Sequence, residues 1–286
     1  MITPAISNQD RMSQPTILIT GCSSGIGLAS ARMLRERGWR VFATARTNDD
    51  LDRLRDAERL EAVPIELTDP ASVEACAASV LEATNGRLDA LFNNAAYGQP
   101  GAIEDVSREA LTAQFEANVF GTHQLTRAII PPMRRAGRGR IVNCSSVLGL
   151  IAAPYRGAYC ASKFALEALS DALRLELAGT GIRISLIEPG PIDTRFIDGA
   201  LAAARRWIDI ENSPHRERYH HLIEGLEKGG KQTFKLPPEA VARKLVHAVE
   251  SPRPKSRYYV TAPTYMAVVA RRTLPIRVID WIAARN

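Results

Sequence analysis

One stretch leaves this chain little choice of architecture. The apolar run Ile17-Leu18-Ile19 passes through Thr20 into a glycine turn, Gly21-x-x-x-Gly25-x-Gly27. Leu28 to Arg37 follows as a helical segment, closed by Gly38. A short unbroken apolar run ending at a turn reads as a strand buried on both faces. A glycine just past a periodic segment reads as a helix stop. Strand, tight turn and helix in immediate succession open a βαβ unit, whose strands pair in parallel.

The alternation continues. Arg40 to Ala45 reads as a second strand, Leu51 to Leu60 as a helix and Val63 to Leu67 as a third strand. Pro70 to Ala83 is predicted to be helical and Leu88 to Phe92 a fourth strand. Ser107 caps a long helix, Arg108 to Ile129, and Gly139 to Cys144 is the fifth strand. Tyr155 to Leu177 is a helix and Ile182 to Ile187 the sixth strand. The pattern predicts an α/β fold, a single-domain doubly wound parallel sheet with helices on both faces. Ligands of such sheets lie beyond the carboxyl ends of the strands. Gly21, Arg46, Thr68, Asn93, Ser145 and Glu188-Pro189-Gly190 are therefore expected to line one crevice.

From Asp193 to Lys235 charge is dense and no simple apolar stripe survives. This segment reads as a helical lid on the substrate side. Pro237-Pro238 starts a helix, Glu239 to Glu250, and Arg257 to Thr261 reads as an edge strand. The expected organisation is a disordered leader at 1–14, a domain at 15–262 with its lid at 193–235, and a basic amphipathic C-terminal extension at 263–286.

Two groups of residues carry chemistry. Tyr159 and Lys163 are four apart in one helix, so they share a face. An ammonium beside a phenol lowers its pKa from about 10 and makes a proton donor and acceptor for an alcohol or carbonyl. The glycine turn provides a seat for a dinucleotide that carries hydride. Gly21 permits the turn, while Gly25 and Gly27 let pyrophosphate and helix approach the backbone. The spacing is not Gly-x-Gly-x-x-Gly, but the strand–turn–helix setting is the required one.

Thr20 to Gly27, Asn93-Asn94-Ala95, Asn118, Ser146, Tyr159, Lys163 and Pro189-Gly190 occur here in the order found in one family. On these residues the chain resembles the short-chain dehydrogenase/reductases, from about Thr16 to at least Ala262. Thr20 to Gly27, Tyr159 to Glu167 and Arg257 to Thr261 look most like the 17β-hydroxysteroid and retinol dehydrogenase-like members. The resemblance implies a Rossmann fold and interconversion of a carbonyl and an alcohol, on an apolar substrate. It implies that Ser146, thirteen residues before Tyr159, holds the substrate oxygen, with Ser145 the close alternative. Tyr159 would pass the proton, Lys163 would bind the nicotinamide ribose, and Asn118 would help hold a water leading to Lys163. The cofactor would meet Gly21, Ser23, Ser24, Gly25, Ile26, Gly27, Asn93, Ala95, Pro189, Gly190, Ile192 and Thr194.

The end of the second strand reads Thr44-Ala45-Arg46. NAD-using members of such folds place an acid there. Here Ala45 stands in its place, and Arg46 can bind a 2′-phosphate, so NADP (NADPH) is the expected cofactor. Two positions depart from the family pattern. Glu66-Leu67 replaces its Asp-aliphatic pair beside adenine, and Ala96 replaces a glycine. A catalytically silent dinucleotide-binding regulator is the rival class, and such a protein could dispense with Tyr159 or Lys163. A hydrolase lacks support, because no Gly-x-Ser-x-Gly surrounds Ser146. His220 and His221 project differently and have no third ligand at zinc spacing, so no metal is expected.

Composition sets the remaining bounds. The net charge of +6 equals the excess of residues 251–286, with seven basic side chains and one acid, Asp280. The high charge therefore describes a tail and not a nucleic-acid-binding domain. Cys22, Cys76, Cys144 and Cys160 show no pairing pattern, which points to a reducing, cytoplasmic compartment. Cys160 reads as an inert buried thiol or as a redox sensor beside Tyr159. A homo-oligomer is expected from the resemblance. Pro275 divides the tail into two short amphipathic pieces, which pack on the core or a second subunit, or touch an anionic membrane.

Overall fold

The computed structural model describes residues 14–227 and 233–284. The expected leader, apart from Gln14, lies outside the described residues, as do Arg285, Asn286 and residues 228–232 of the expected lid.

In chain order the elements are β1 (Thr16–Ile19), α1 (Gly25–Glu36), β2 (Arg40–Ala45), α2 (Asn48–Asp56), β3 (Glu61–Pro64), α3 (Pro70–Ala83) and β4 (Ala90–Asn93). There follow α4 (Arg108–Phe115), a π-helical stretch (Glu116–Phe120), α5 (Gly121–Arg135), β5 (Gly139–Cys144), α6 (Gly157–Glu176) and β6 (Ile182–Glu188). The chain continues through α7 (Phe196–Trp207), α8 (Arg216–Glu227), α9 (Glu239–Glu250), β7 (Arg257–Tyr259), α10 (Ala262–Thr273) and α11 (Ile276–Ala284). The sheet order is β3-β2-β1-β4-β5-β6-β7. Every pairing is parallel. The order reverses between β1 and β4, and a crevice opens where the two halves diverge.

The central strands are buried on both faces, as unbroken apolar runs require. Ile17 and Ile19 of β1 meet Leu34 of α1 and Leu245 of α9 on one face. Leu18 between them meets Val80 of α3 and Leu125 and Ile129 of α5 on the other. Successive strand side chains alternate, so a single run serves two cores.

Arg40–Ala45, Pro70–Ala83, Gly139–Cys144 and Glu239–Glu250 coincide end to end with the sequence expectation. The third strand does not. It ends at Pro64, three residues earlier than expected, although Ile65 and Leu67 beyond it are buried. An apolar run reports burial, whereas a strand also needs a partner: Ile65 N makes a last bond to Ala45 O at 3.1 Å, where β2 ends. The expected long helix is broken by the π stretch at Glu116–Phe120, with Ser107 accepting from Ala110 N at its start. Gly121 follows at once, where a Cβ would lie 2.1 Å from Leu67 O. The helix thus passes hard against the loop after β3.

The basic residues of 251–286 stand in different settings. Arg257 is drawn inward by Glu167, Glu188 and Asp171. Arg253 and Lys255 precede the parallel strand β7, and so lie at the amino end of the sheet, away from the crevice. On α10 and α11 there remain Arg271, Arg272 and Arg277 among the described residues. Arg271 donates to Leu150 O and lies over the Phe164 ring. The helix α11 contributes no buried residue, and Ile276, Val278 and Trp281 are exposed.

Candidate active site

The glycine turn is built by exclusion. Gly21 and Gly25 have positive φ, at 72° and 57°, where side chains are rarely tolerated. A Cβ on Gly27 would lie 2.1 Å from Gly21 O, which leaves no room for one. Thr44 holds the turn against β2: its Oγ1 accepts from Gly21 N at 3.2 Å and its O from Cys22 N at 2.8 Å. Ser24 stands at the N-cap of α1 with extended backbone and makes no side-chain cap bond. The first-turn amides of α1 thus receive no cap from the residue placed to give one. They face the crevice at the positive end of the helix dipole, which suits pyrophosphate. Thr194 sits over Gly25, its Cγ2 3.0 Å from where a Cβ would be. Ser23 lies in the same turn and its carbonyl accepts from Arg53. The residues present fit a dinucleotide.

The proton site lies where β5 meets α6. Ser146 Oγ lies near the Tyr159 phenol and accepts from Leu148 N at 3.1 Å. Ser145, the alternative, instead lies beside Glu167. Lys163 Nζ donates to Cys144 O at 2.8 Å and lies 5.7 Å from the Tyr159 ring centroid. Both side chains are buried. This corrects the expected electrostatics. Burial raises the Tyr159 pKa, and Ser146 and the Arg156 charge only partly offset it. Burial lowers that of Lys163, against Cys144 and Glu167. Tyr159 therefore holds its proton at neutral pH.

Asn118 sits in the π stretch, a feature common at functional sites. Its Nδ2 donates to Tyr97 O at 3.0 Å and Ser162 Oγ at 3.1 Å, and its Oδ1 accepts from Tyr97 N at 3.2 Å. The side chain is thereby committed to the loop after β4 and to α6. Asn93, expected at the crevice, is turned into the core, where it bonds Thr126 and Asn143. Leu67 is likewise a core side chain. Gly190 must be glycine because a Cβ would meet Thr261 Oγ1 at 2.0 Å. Pro189 O accepts from Val147 N at 2.8 Å, which ties the loop after β6 to the turn after Ser146. Ile192 bridges to Leu236, and Ile26 packs on the core.

At the far end of the crevice Arg46 is 77% exposed, with Glu66 Oε2 at 4.0 Å. Glu66 Oε1 is occupied by Thr68 N and Oγ1. Ala96 is not among the residues of positive φ, so its methyl is accommodated.

A sequence model described as short chain dehydrogenase matches residues 15–203. An uncharacterized oxidoreductase, YbbO, of Escherichia coli is 46% identical over 95% of both chains. This chain belongs to the short-chain dehydrogenase family. It is also 35% identical to human 17-beta-hydroxysteroid dehydrogenase type 1, over 87% of this chain and 78% of that one. Among solved structures, a short chain dehydrogenase/reductase from Burkholderia phymatum in complex with NAD superposes with TM-score 0.76 at 26% identity, covering 96% and 98%. An actinorhodin polyketide ketoreductase variant with NADPH gives 0.70 at 29%, covering 87% and 96%.

The structure of this short-chain dehydrogenase adds residues that sequence reasoning passed over. Asn94, not Asn93, fastens the glycine turn, donating to Thr20 O at 2.9 Å and Gly21 O at 3.3 Å. Thr20 Oγ1 accepts from the amides of Asn94 and Ala95, each at 2.9 Å. The Phe196 ring of α7 lies 5.5 Å from that of Tyr159. Gly98 allows this, since a Cβ there would meet Phe196 Cζ at 3.1 Å. No motif announces either contact, because each joins segments distant in the chain. Beyond α7, Tyr219 Oη donates to Asp105 Oδ2 and accepts from Ala102 N, both at 2.7 Å. His215 lies between Tyr155 Oη at 3.1 Å and Glu104 Oε1 at 2.6 Å.

Proposed function

We propose that this short-chain dehydrogenase uses NADP(H) to interconvert an apolar aldehyde or ketone and its alcohol, working as a carbonyl reductase. The observation that carries the reading is the buried Tyr159 phenol beside Ser146, with Lys163 one helical turn on. When bound, NADP(H) supplies or accepts the hydride. Gly21, Ser24, Gly25, Gly27 and Thr194 would hold its pyrophosphate, and Lys163 its ribose.

Ser146 holds the substrate oxygen beside Tyr159. Tyr159 Oη gives its proton to that oxygen as negative charge develops there. A phenol raised by burial is protonated at neutral pH, which favours the reductive direction. Phe196 walls the pocket with an apolar ring over Tyr159 and so favours an apolar substrate. Arg46 favours the 2′-phosphate of NADP, because position 45 carries no acid and the phosphate would take the guanidinium that Glu66 now approaches at 4.0 Å. A neighbour bound to NAD shows that the fold alone does not choose between the cofactors.

The surroundings of the chain follow from its thiols and helices. All four cysteines are free and buried, and burial pushes the Cys22 and Cys76 thiols up to about 12, consistent with inert thiols in a reducing compartment. Burial raises the Cys160 thiol as well, which favours the inert reading over the sensor. No helix among the described residues is long and apolar enough to cross a membrane. The exposed face of α11 is the surface for a second copy of the chain or a membrane.

The test is oxidation of NADPH and NADH with a panel of apolar aldehydes and ketones. Turnover with NADPH preferred supports the proposal. Tight dinucleotide binding with no turnover across the panel replaces it with the silent regulator.

A further inference from the structure

Behind Lys163 the protein buries a group of charges that the reaction as described does not use. Glu167 follows Lys163 by one turn of α6, and Glu188 ends β6 with no exposure at all. Arg257 of β7 clamps them. Its Nη1 donates to Glu167 Oε2 and, at 2.8 Å, to Glu188 Oε1, while its Nη2 donates to Asp171 Oδ2 at 2.6 Å.

Three buried oxygens here have no hydrogen-bond partner: Glu167 Oε1, Glu188 Oε2 and Ser145 Oγ. The two carboxylate oxygens can only accept, and the serine can donate once. One donor is missing. Arg174 also pairs with Asp171, at 3.1 Å, so within the buried group Lys163 and Arg257 face Glu167 and Glu188. One added proton supplies the missing donor.

We propose that Glu167 and Glu188 hold one proton between them, and that the single negative charge left on the pair keeps Lys163 an ammonium. Two buried carboxylates side by side cannot both ionise cheaply. Burial and the neighbouring Glu167 raise Glu188 from 4.5 to about 8, although Arg257 pulls it down. Glu167 is raised too. Lys163, lowered by burial, is supported by Cys144 and Glu167. The other groups facing the pair are Cys144 of β5, Asp171 of α6 and Tyr259 of β7, with Arg272 of α10 beyond Tyr259. Glu167 and Glu188 are positioning residues, since they touch neither substrate nor cofactor. The part that concerns Lys163 rests on the function proposed above.

The sign of the linkage is definite. Folding raises the pKa of the pair, so the stability that its proton contributes is complete below about 4.5 and is lost as pH rises towards about 8. The experiment is infrared spectroscopy of the full chain with carboxyl-labelled glutamate, titrated from pH 6 to 9. The expected result is a protonated carboxyl band at neutral pH that fades around pH 8 and is missing in Glu188→Gln. This needs no turnover, so it stands apart from the proposed activity. Absence of the band at neutral pH in the unsubstituted chain overturns the proposal, whether or not the variant folds. In the active enzyme, the double variant Glu167→Gln with Glu188→Gln, which removes the charge left on the pair, should move the alkaline limb of kcat/KM to lower pH by about one unit. A variant that lowers kcat with no movement of the limb shows the glutamates to be structural only.

Discussion

The two walls of the crevice are held by different means. The glycine-turn wall is main chain: Gly21, Gly25 and Gly27 are packed where side chains have no space, and Asn94 and Thr44 bond the backbone directly. The opposite wall, the expected lid of α7 and α8, is held by side chains of distant segments. Tyr219 reaches Asp105, His215 reaches Glu104, and Tyr155 at φ 58° turns its ring onto both Tyr219 and His215. A wall made of backbone tolerates almost no substitution and presents the same amides to any dinucleotide. A wall made of side-chain bonds can be loosened one bond at a time, which suits a surface that admits and releases substrate.

Tyr159 stands at the seam of the two walls, and its substitution should have the largest effect. Tyr159→Phe should lower turnover by about 10²- to 10⁴-fold, the contribution of a general acid. NADPH binding, measured by fluorescence titration, should survive, because the glycine-turn wall is untouched. Near-normal turnover would remove Tyr159 from the chemistry. Lys163→Met should lose both turnover and affinity.

Arg46→Ala tests whether the cofactor wall also selects. A hydrogen bond to a charged group contributes about 1.5–3 kcal/mol. The NADPH constant should rise roughly 10- to 150-fold with NADH scarcely affected, and Ala45→Asp should shift preference towards NADH. Equal losses for both cofactors would make Arg46 a structural residue.

Tyr219→Phe probes the wall of α7 and α8. It removes the donor to Asp105 and the acceptor for Ala102 N, at a cost of about 1 kcal/mol. Hydrogen exchange in 196–227 should quicken several-fold while 21–27 stays protected. Equal quickening in both segments would mean that the walls are one cooperative unit and would dissolve the contrast.

The smallest effect is expected at α11. Arg271, Arg272 and Arg277 each contribute on the order of 1 kcal/mol near an anionic surface, and salt screens this. Full-length protein should co-sediment weakly with anionic vesicles, and not in high salt. Removal of 264–286 should abolish this binding. Concentration-dependent self-association without vesicle binding would assign the surface to a second copy.

The legible parts share a cause. The strand core, the glycine turn and the Tyr159–Lys163 pair are local patterns, set by periodicity, by backbone freedom and by one turn of helix. Asn94 and Glu188 stood in segments the sequence singled out, but their partners, like that of Phe196, lie far away in the chain and gave no such signal. The π stretch was illegible too, since its apolar pattern still passed for a continuous helix.

By itself the sequence determined the alternation of strands and helices, hence the parallel sheet, the site of its crevice and the chemistry expected there. Only the tertiary structure decided which charges are free. Arg257 was one of seven basic residues of a tail until three carboxylates drew it inward. Tyr159 was a phenol beside an ammonium until burial raised its pKa instead. Charge and desolvation depend on distance and on excluded water, and neither is a property of neighbours in sequence.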